Sequence, residues 1–230
     1  CHGGECLLFD PYLSDSLTKK YAATDKPHVR MTARVVDPAR LDFVSVVTTS
    51  HNHTDHLDAE TLVPIFAAAP QSKLVLPAAN VSFVNQRLGA AAQARFLPLA
   101  DGERATVGGF TIEAVPAAHE ELQPEFAGFV VSVGPFRIYH SGDTVRFPGM
   151  AERLRPLAVD LALLPINGRA PARRVSGNLD GGEAAQLAHV VPGDVGAKIR
   201  RAAHRQRGDF GLRFFGQILI TRRAGGHHVA

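Results

Sequence analysis

The chain has 230 residues, 45% hydrophobic and 20% charged, with a formal net charge of +3. That make-up is ordinary for a globular protein and fits one large domain or two small ones. No apolar run nears the roughly 18 residues of a membrane-crossing helix, which excludes a helical membrane protein.

The charge is uneven. Residues 198–230 hold Lys198 and seven arginines against Asp209, a balance of +7 that leaves −4 on residues 1–197. A basic end can serve nucleic acid or anionic lipid, but no aromatic-spaced RNA-binding motif accompanies it, so it reads as a solvated tail. Cys1 and Cys6 are the only cysteines. Two thiols five apart near a terminus read as free, and with no basic-then-apolar signal pattern at the start this points to the cytoplasm.

In chain order, short apolar runs read as strands at Leu7–Phe9, Phe43–Thr49, Lys73–Leu76, Phe110–Val115, Gly128–Val133, Phe136–Tyr139 and Leu161–Ile166. Gly134-Pro135 reads as a hairpin turn between two of them. Helices are expected over Ala59–Ala69, Val81–Leu88, Met150–Leu157 and Glu183–Val191. Asp180, three residues before Glu183, gives the last of these a capping-box start. Paired strands followed by strands separated by helices predict a layered α/β domain.

The chemistry concentrates in Thr49-Ser-His-Asn-His-Thr-Asp-His-Leu-Asp58. An apolar strand runs into it, and Asp58 is placed to N-cap the helix that follows. Residues two apart in extended chain point the same way, so His51 and His53 can face one ion. Asp55 and His56 lie where the chain turns and can address a second position. Imidazole and carboxylate ligands suit Zn²⁺, with Mn²⁺ or Fe²⁺ as alternatives. There is no Gly-x-Ser-x-Gly elbow, phosphate-cradling loop or dinucleotide fingerprint, which leaves a metal-activated water as the nucleophile.

The His-x-His-x-Asp-His pattern resembles the signature of the metallo-β-lactamase superfamily, and that resemblance implies an αββα sandwich with metals between its sheets. Further matches follow in order. His119, ending Val115-Pro-Ala-Ala-His119, falls where many members place the third histidine of the first metal. Tyr139-His-Ser-Gly-Asp-Thr144 is similar to the loop whose aspartate, here Asp143, bridges two metals. Asp10-Pro-Tyr-Leu13, His-Ser-Gly-Asp and Leu164-Pro-Ile-Asn-Gly-Arg169 resemble the L-ascorbate-6-phosphate lactonase-like branch. The likeness covers roughly residues 7–197; residues 1–197 are expected to form one hydrolase domain, and residues 198–230 a basic tail outside the family pattern.

Two departures accompany the resemblance. Members have one or two strands before the position of Leu7, so the beginning reads as short. The branch closes its site with a histidine after an apolar strand. Here Gly196-Ala-Lys-Ile-Arg-Arg-Ala-Ala-His204 puts His204 at that ligand position but Arg200 and Arg201 where the strand needs apolar residues. The expectation is therefore that the chain from about Lys198 does not form the closing strand, as a reading-frame change there would produce.

The resemblance implies two divalent metals: His51, His53 and His119 on the first, Asp55, His56 and His204 on the second, Asp143 on both. A metal-bound hydroxide then cleaves a lactone or related ester of a small anionic molecule, with Asp55 orienting the water or relaying its proton. His140 can serve the site as a donor or pack beneath its loop, and Arg169 can hold an anion or stand exposed; both remain open. The alternatives are a phosphodiesterase acting on nucleic acid or phospholipid head groups, and a metal-binding product without activity.

Overall fold

The computed structural model describes residues 1–25, 27–30, 32–170, 177–191, 198–201 and 217–221. A four-stranded parallel sheet is ordered β1 (Cys6–Phe9), β2 (Val44–Thr48), β3 (Lys73–Pro77), β4 (Phe96–Leu99). Against it lies a seven-stranded sheet built from β5 (Arg104–Val107), β6 (Phe110–His119), β7 (Glu121–Val133), β8 (Phe136–His140), β9 (Leu161–Pro165), β10 (Lys198–Arg201) and β11 (Gln217–Thr221). Its order is β10-β11-β9-β8-β7-β6-β5, antiparallel except at β8–β9.

Strand alternation sorts the core into three layers. Val46, Val75, Ile112, Ala114, Phe129 and Val131 point between the sheets. Leu74, Leu76 and Val47 face the other way and bury Leu62, Ile65 and Phe66 of α2 (Ala59–Ala68) and Val84 of α3 (Val81–Leu88). On the opposite outer face, Val115, Val130, Tyr139, Ala162 and Leu164 pack on α4 (Met150–Leu154) and α5 (Gly181–Val190). The result is the expected αββα sandwich. A short helix, Ser16–Tyr21, taken in chain order as α1, lies between β1 and β2.

The expected elements are all present, and the hairpin at Gly134-Pro135 pairs Val133 with Phe136. The capping box also forms: Asp180 accepts from Glu183 N–H at 2.8 Å, and Glu183 accepts from Asp180 N–H at 3.0 Å. Asp58 occupies the N-cap of α2, but its carboxylate takes no backbone N–H. It accepts the hydroxyls of Ser16 (2.9 Å) and Thr61 instead.

Two expectations are corrected. Cys1 and Cys6 are not free thiols but a disulfide. His2 and Glu5 exchange backbone hydrogen bonds of 2.8 and 3.0 Å, a tight turn that brings the Cys1 and Cys6 Cα atoms to 4.0 Å. With that, the free-thiol argument for the cytoplasm loses its premise. The stretch after Lys198 is also not wholly outside the sheet. Gln217-Ile-Leu-Ile-Thr221, an apolar run passed over in the sequence, pairs with β9, and Lys198–Arg201 takes the edge beyond it. Arg169, left open between an anion site and an exposed position, is exposed and holds both carboxylate oxygens of Glu183 at 2.8 and 2.9 Å. Among the described residues, no helix is long and apolar enough to cross a membrane.

Candidate metal centre

The site sits on one rim, where β1, β2, β6 and β8 end. Each side chain is placed by the strand it follows. Beyond β2, Thr49 N–H bonds to Val75 C=O at 2.9 Å and Ser50 C=O accepts from Ala127 N–H at 3.0 Å, so the loop is stitched to both sheets. The chain then coils once. His53 C=O accepts from the N–H groups of His56 (3.1 Å) and Leu57 (2.8 Å), which turns Asp55 and His56 back under His51.

His119 arrives from β6. The loop carrying Asp143 is pinned beside it, because Thr144 Oγ1 accepts from Ala118 N–H at 3.0 Å and Val145 N–H donates to Ala118 C=O at 2.7 Å. Gly142 lets this loop approach. Its φ is +60°, and a Cβ there would lie 2.5 Å from Ser50 Cβ.

Among the described residues, two sets of potential ligands result, each with donor atoms within 4.8 Å of one another: His51, His53 and His119, and His51, His56 and Asp143. Asp55 borders the second set, with Oδ2 3.6 Å from His56 Nε2. His204 lies outside the described residues. His140 belongs to neither set: it is fully buried, with its ring stacked on Phe9 at 4.9 Å.

The histidine tautomers follow from their partners. Gly177 C=O can only accept, so His119 Nδ1 donates to it at 2.9 Å. His56 Nδ1 donates to Asp10 at 2.8 Å. Ser50 Oγ donates to Asp10, which leaves it to accept from His51 Nδ1 at 3.0 Å. In all three rings Nδ1 is occupied and the Nε2 lone pair is left for an ion. The Nε2 atoms of His51 and His56 are buried with no hydrogen-bond partner. A buried ring nitrogen without a partner is costly, and a divalent cation coordinated there removes the cost.

The electrostatics make the same demand. Burial works against a charged His56, but Asp143, Asp10 and Asp55 outweigh it and hold its pKa well above the ordinary value. Burial opposes ionisation of Asp143 and Asp10 as well, yet the neighbouring histidines keep both carboxyls below the usual range. His51, buried beside His56, is pushed well below its ordinary value and stays neutral. These carboxylates require positive charge between them. An imidazolium at His56 supplies it when no metal is bound, and a divalent ion with a neutral His56 meets the same need.

Sequence reading missed two parts of this site. Asp10, at the end of β1, orients His56 and Ser50; the sequence marked it only as the start of the family-like Asp10-Pro-Tyr-Leu13 stretch and gave it no role. Phe126 on β7 forms an aromatic wall, with ring centroids 5.5 Å from His51 and His119 and 6.4 Å from His53. His53 is exposed and Phe126 half-buried, so the mouth opens on this side.

Residues 6–200 match the beta-lactamase superfamily domain. This chain is a member of the metallo-β-lactamase superfamily. Within the superfamily it belongs with the UPF0173 metal-dependent hydrolases. The relative from Rubrobacter xylanophilus is 31% identical over 83% of this chain and 74% of its own length. Another, from Metallosphaera sedula, is 33% identical over 58% of this chain and 59% of its own length, so the match spans less than two thirds of that relative. A Caenorhabditis elegans protein named N-acyl-phosphatidylethanolamine-hydrolyzing phospholipase D 1 is 30% identical over 73% of this chain and 50% of its own. Among solved structures, the isothiocyanate hydrolase from Delia radicum gut bacteria superposes with a TM-score of 0.60 at 18% identity, over 84% of this chain and 77% of its own, a likeness of fold alone.

Proposed function

We propose that the chain is a metal-dependent hydrolase that cleaves a lactone or related ester of a small anionic substrate. The observation that carries the hydrolase reading is the pair of ligand sets sharing His51, whose buried Nε2 has no hydrogen-bond partner. His51, His53 and His119 would hold one ion, and His56, Asp55 and Asp143 a second beside it, with Zn²⁺, Mn²⁺ and Fe²⁺ all suited to the donors. When bound, such ions polarise the oxygen under attack and make water acidic enough to react near neutral pH.

The chain's own groups do the rest. Asp55, beside the second set, orients the attacking water and accepts its proton. Asp10 and Gly177 hold the imidazoles in the tautomer that leaves Nε2 free. His140, buried and stacked on Phe9, supports the loop from behind, beside Asp10 and Asp143. Phe126 offers an apolar wall. Lys20, whose Nζ is 3.0 Å from Thr54 Oγ1 in the metal-binding turn, brings a cation to the mouth, which favours an anionic substrate.

The phospholipase D relative favours a second reading, a phosphodiesterase on phospholipid head groups. The protein loaded with Zn²⁺ or Mn²⁺ separates the two on a panel of lactones, a chromogenic phosphodiester and a phospholipid. Faster lactone turnover, lowered about 10²–10⁴-fold in Asp55→Asn, is expected. Faster diester cleavage with the same Asp55 dependence replaces the first reading with the second. No hydrolysis of any of them by metal-loaded protein defeats both.

A further inference from the structure

We infer that Arg87 is a positioning residue for the metal-binding turn, fixing the spacing between the two ion positions. The inference rests on the metal-site reading above and deepens it. Arg87 stands near the end of α3 and reaches across to the β2–α2 loop. Its Nη1 donates to Asn52 C=O at 2.8 Å and to Leu57 C=O at 2.9 Å. One nitrogen with two hydrogens thus ties together the two residues that bracket His53, Thr54, Asp55 and His56.

Within the bracket the turn satisfies itself through His53 C=O, but the carbonyls at its two ends are left over. The first N–H groups of α2 do not reach Leu57, because Thr61 and Leu62 both donate to Asp58 C=O. Leu57 is fully buried, so its carbonyl needs a donor from within the protein.

The guanidinium is itself held in place. It lies over the Phe83 ring at 4.4 Å, and the buried carboxylate of Asp58 is its electrostatic partner. A planar group held on one face presents its N–H bonds in a fixed direction. Without it the two ends of the turn are free to separate. Because His53 serves one set and His56 the other, that movement changes the distance between the sets.

Arg95 provides an internal control. It also lies over a ring, Phe66 at 5.4 Å, and also donates to backbone carbonyls, those of Ala69 and Pro70, but at the far end of α2. If arginine–carbonyl ties matter only to folding, the two residues behave alike.

The test compares Arg87→Ala, Arg87→Lys and Arg95→Ala for Zn²⁺ affinity, by competition with a chromogenic chelator, and for the visible spectrum of the Co²⁺-loaded form. Arg87→Ala is expected to lose about 10–100-fold in affinity, the usual cost of removing a group that orients metal ligands. Its Co²⁺ bands should shift, and added methylguanidinium should restore part of the affinity. Arg87→Lys, whose stem is one bond shorter, should fall between Arg87→Ala and wild type. Arg95→Ala should melt at lower temperature with affinity unchanged.

Wild-type affinity in Arg87→Ala, an equal loss in Arg95→Ala, or no response to methylguanidinium overturns the inference. Should Arg87→Ala fail to fold, wild-type affinity in Arg87→Lys overturns it in the same way. Failure of the wild-type protein to bind Zn²⁺ or Co²⁺ would instead defeat the metal-site reading beneath it.

Discussion

Four donors converge on the carboxylate of Asp10: the hydroxyls of Thr48 and Ser50, the N–H of Ser50 and Nδ1 of His56. The last of these raises the basicity of the Nε2 that faces the ion, and it also raises the affinity of that nitrogen for a proton. Metal binding requires His56 neutral, so affinity climbs with pH until the raised pKa of His56 is passed and then levels off. In Asp10→Asn one of the contributions holding that pKa up is removed. Affinity on the plateau should fall about 10–100-fold, while the midpoint of the climb moves to lower pH. Zn²⁺ titrations across the pH range check both; a plateau loss with the midpoint moving upward would contradict this account. At this scale the sequence was legible where ligands were neighbours. His51, His53, Asp55 and His56 stand in one short segment, and strand and turn periodicity brings them together. Asp10 was marked only within the family-like Asp10-Pro-Tyr-Leu13 stretch, and its role escaped because its partners lie 38 to 46 residues away. Arg169 was left open between an anion site and an exposed position because only α5, docked beside it, supplies Glu183.

Elements were read correctly where burial imposes a pattern and missed where it does not. The central strands β2, β3 and β9 are apolar because both faces of their sheets are covered. β4 interrupts its short run with Pro98, and β5 is an edge strand with exposed and half-buried residues alternating, so neither stands out. β7 begins seven residues before the expected start at Gly128, because Glu121–Pro124 form an exposed arm opposite the end of β6. That arm and the Ser141-Gly-Asp143 loop are what bring the large sheet to the metal site, and Gly142 controls the approach. Gly142→Ala combines a positive φ with a Cβ 2.5 Å from Ser50 and 3.1 Å from Ala127 C=O, so the Asp143 loop must move away from the β2–α2 loop. The expected result is a loss of about 1–3 kcal/mol in denaturant unfolding of the metal-free protein. The Asp143-dependent ion should bind weakly or not at all. Elemental analysis showing full metal content in this variant would mean that the loop's approach is not what places Asp143.

At the scale of the whole molecule, each ligand set draws from both sheets. His51, His53 and His56 come from the small sheet's loop, and His119 and Asp143 from the large sheet. An ion in either set therefore clasps the sandwich along one rim, while the apolar layer of Val46, Val75, Ile112 and Phe129 holds it from within. Without the ion, the carboxylates on that rim have the imidazolium of His56 between them but no group bonded to ligands from both sheets at once. A ligand at a hundred times its dissociation constant stabilises the folded state by about 2.7 kcal/mol. For a domain of this size that corresponds to a rise of roughly 5–11 °C in melting temperature. Chelator-treated protein should melt that much lower, and Zn²⁺ should restore the difference. His119→Ala removes the large sheet's contribution to the first set, so it should lose much of the metal-dependent rise while the chelated protein melts near wild type. Identical melting of chelated and Zn²⁺-loaded wild type would show that no ion joins the sheets. A full metal-dependent rise in His119→Ala would show that the ion is held by the small sheet's loop alone.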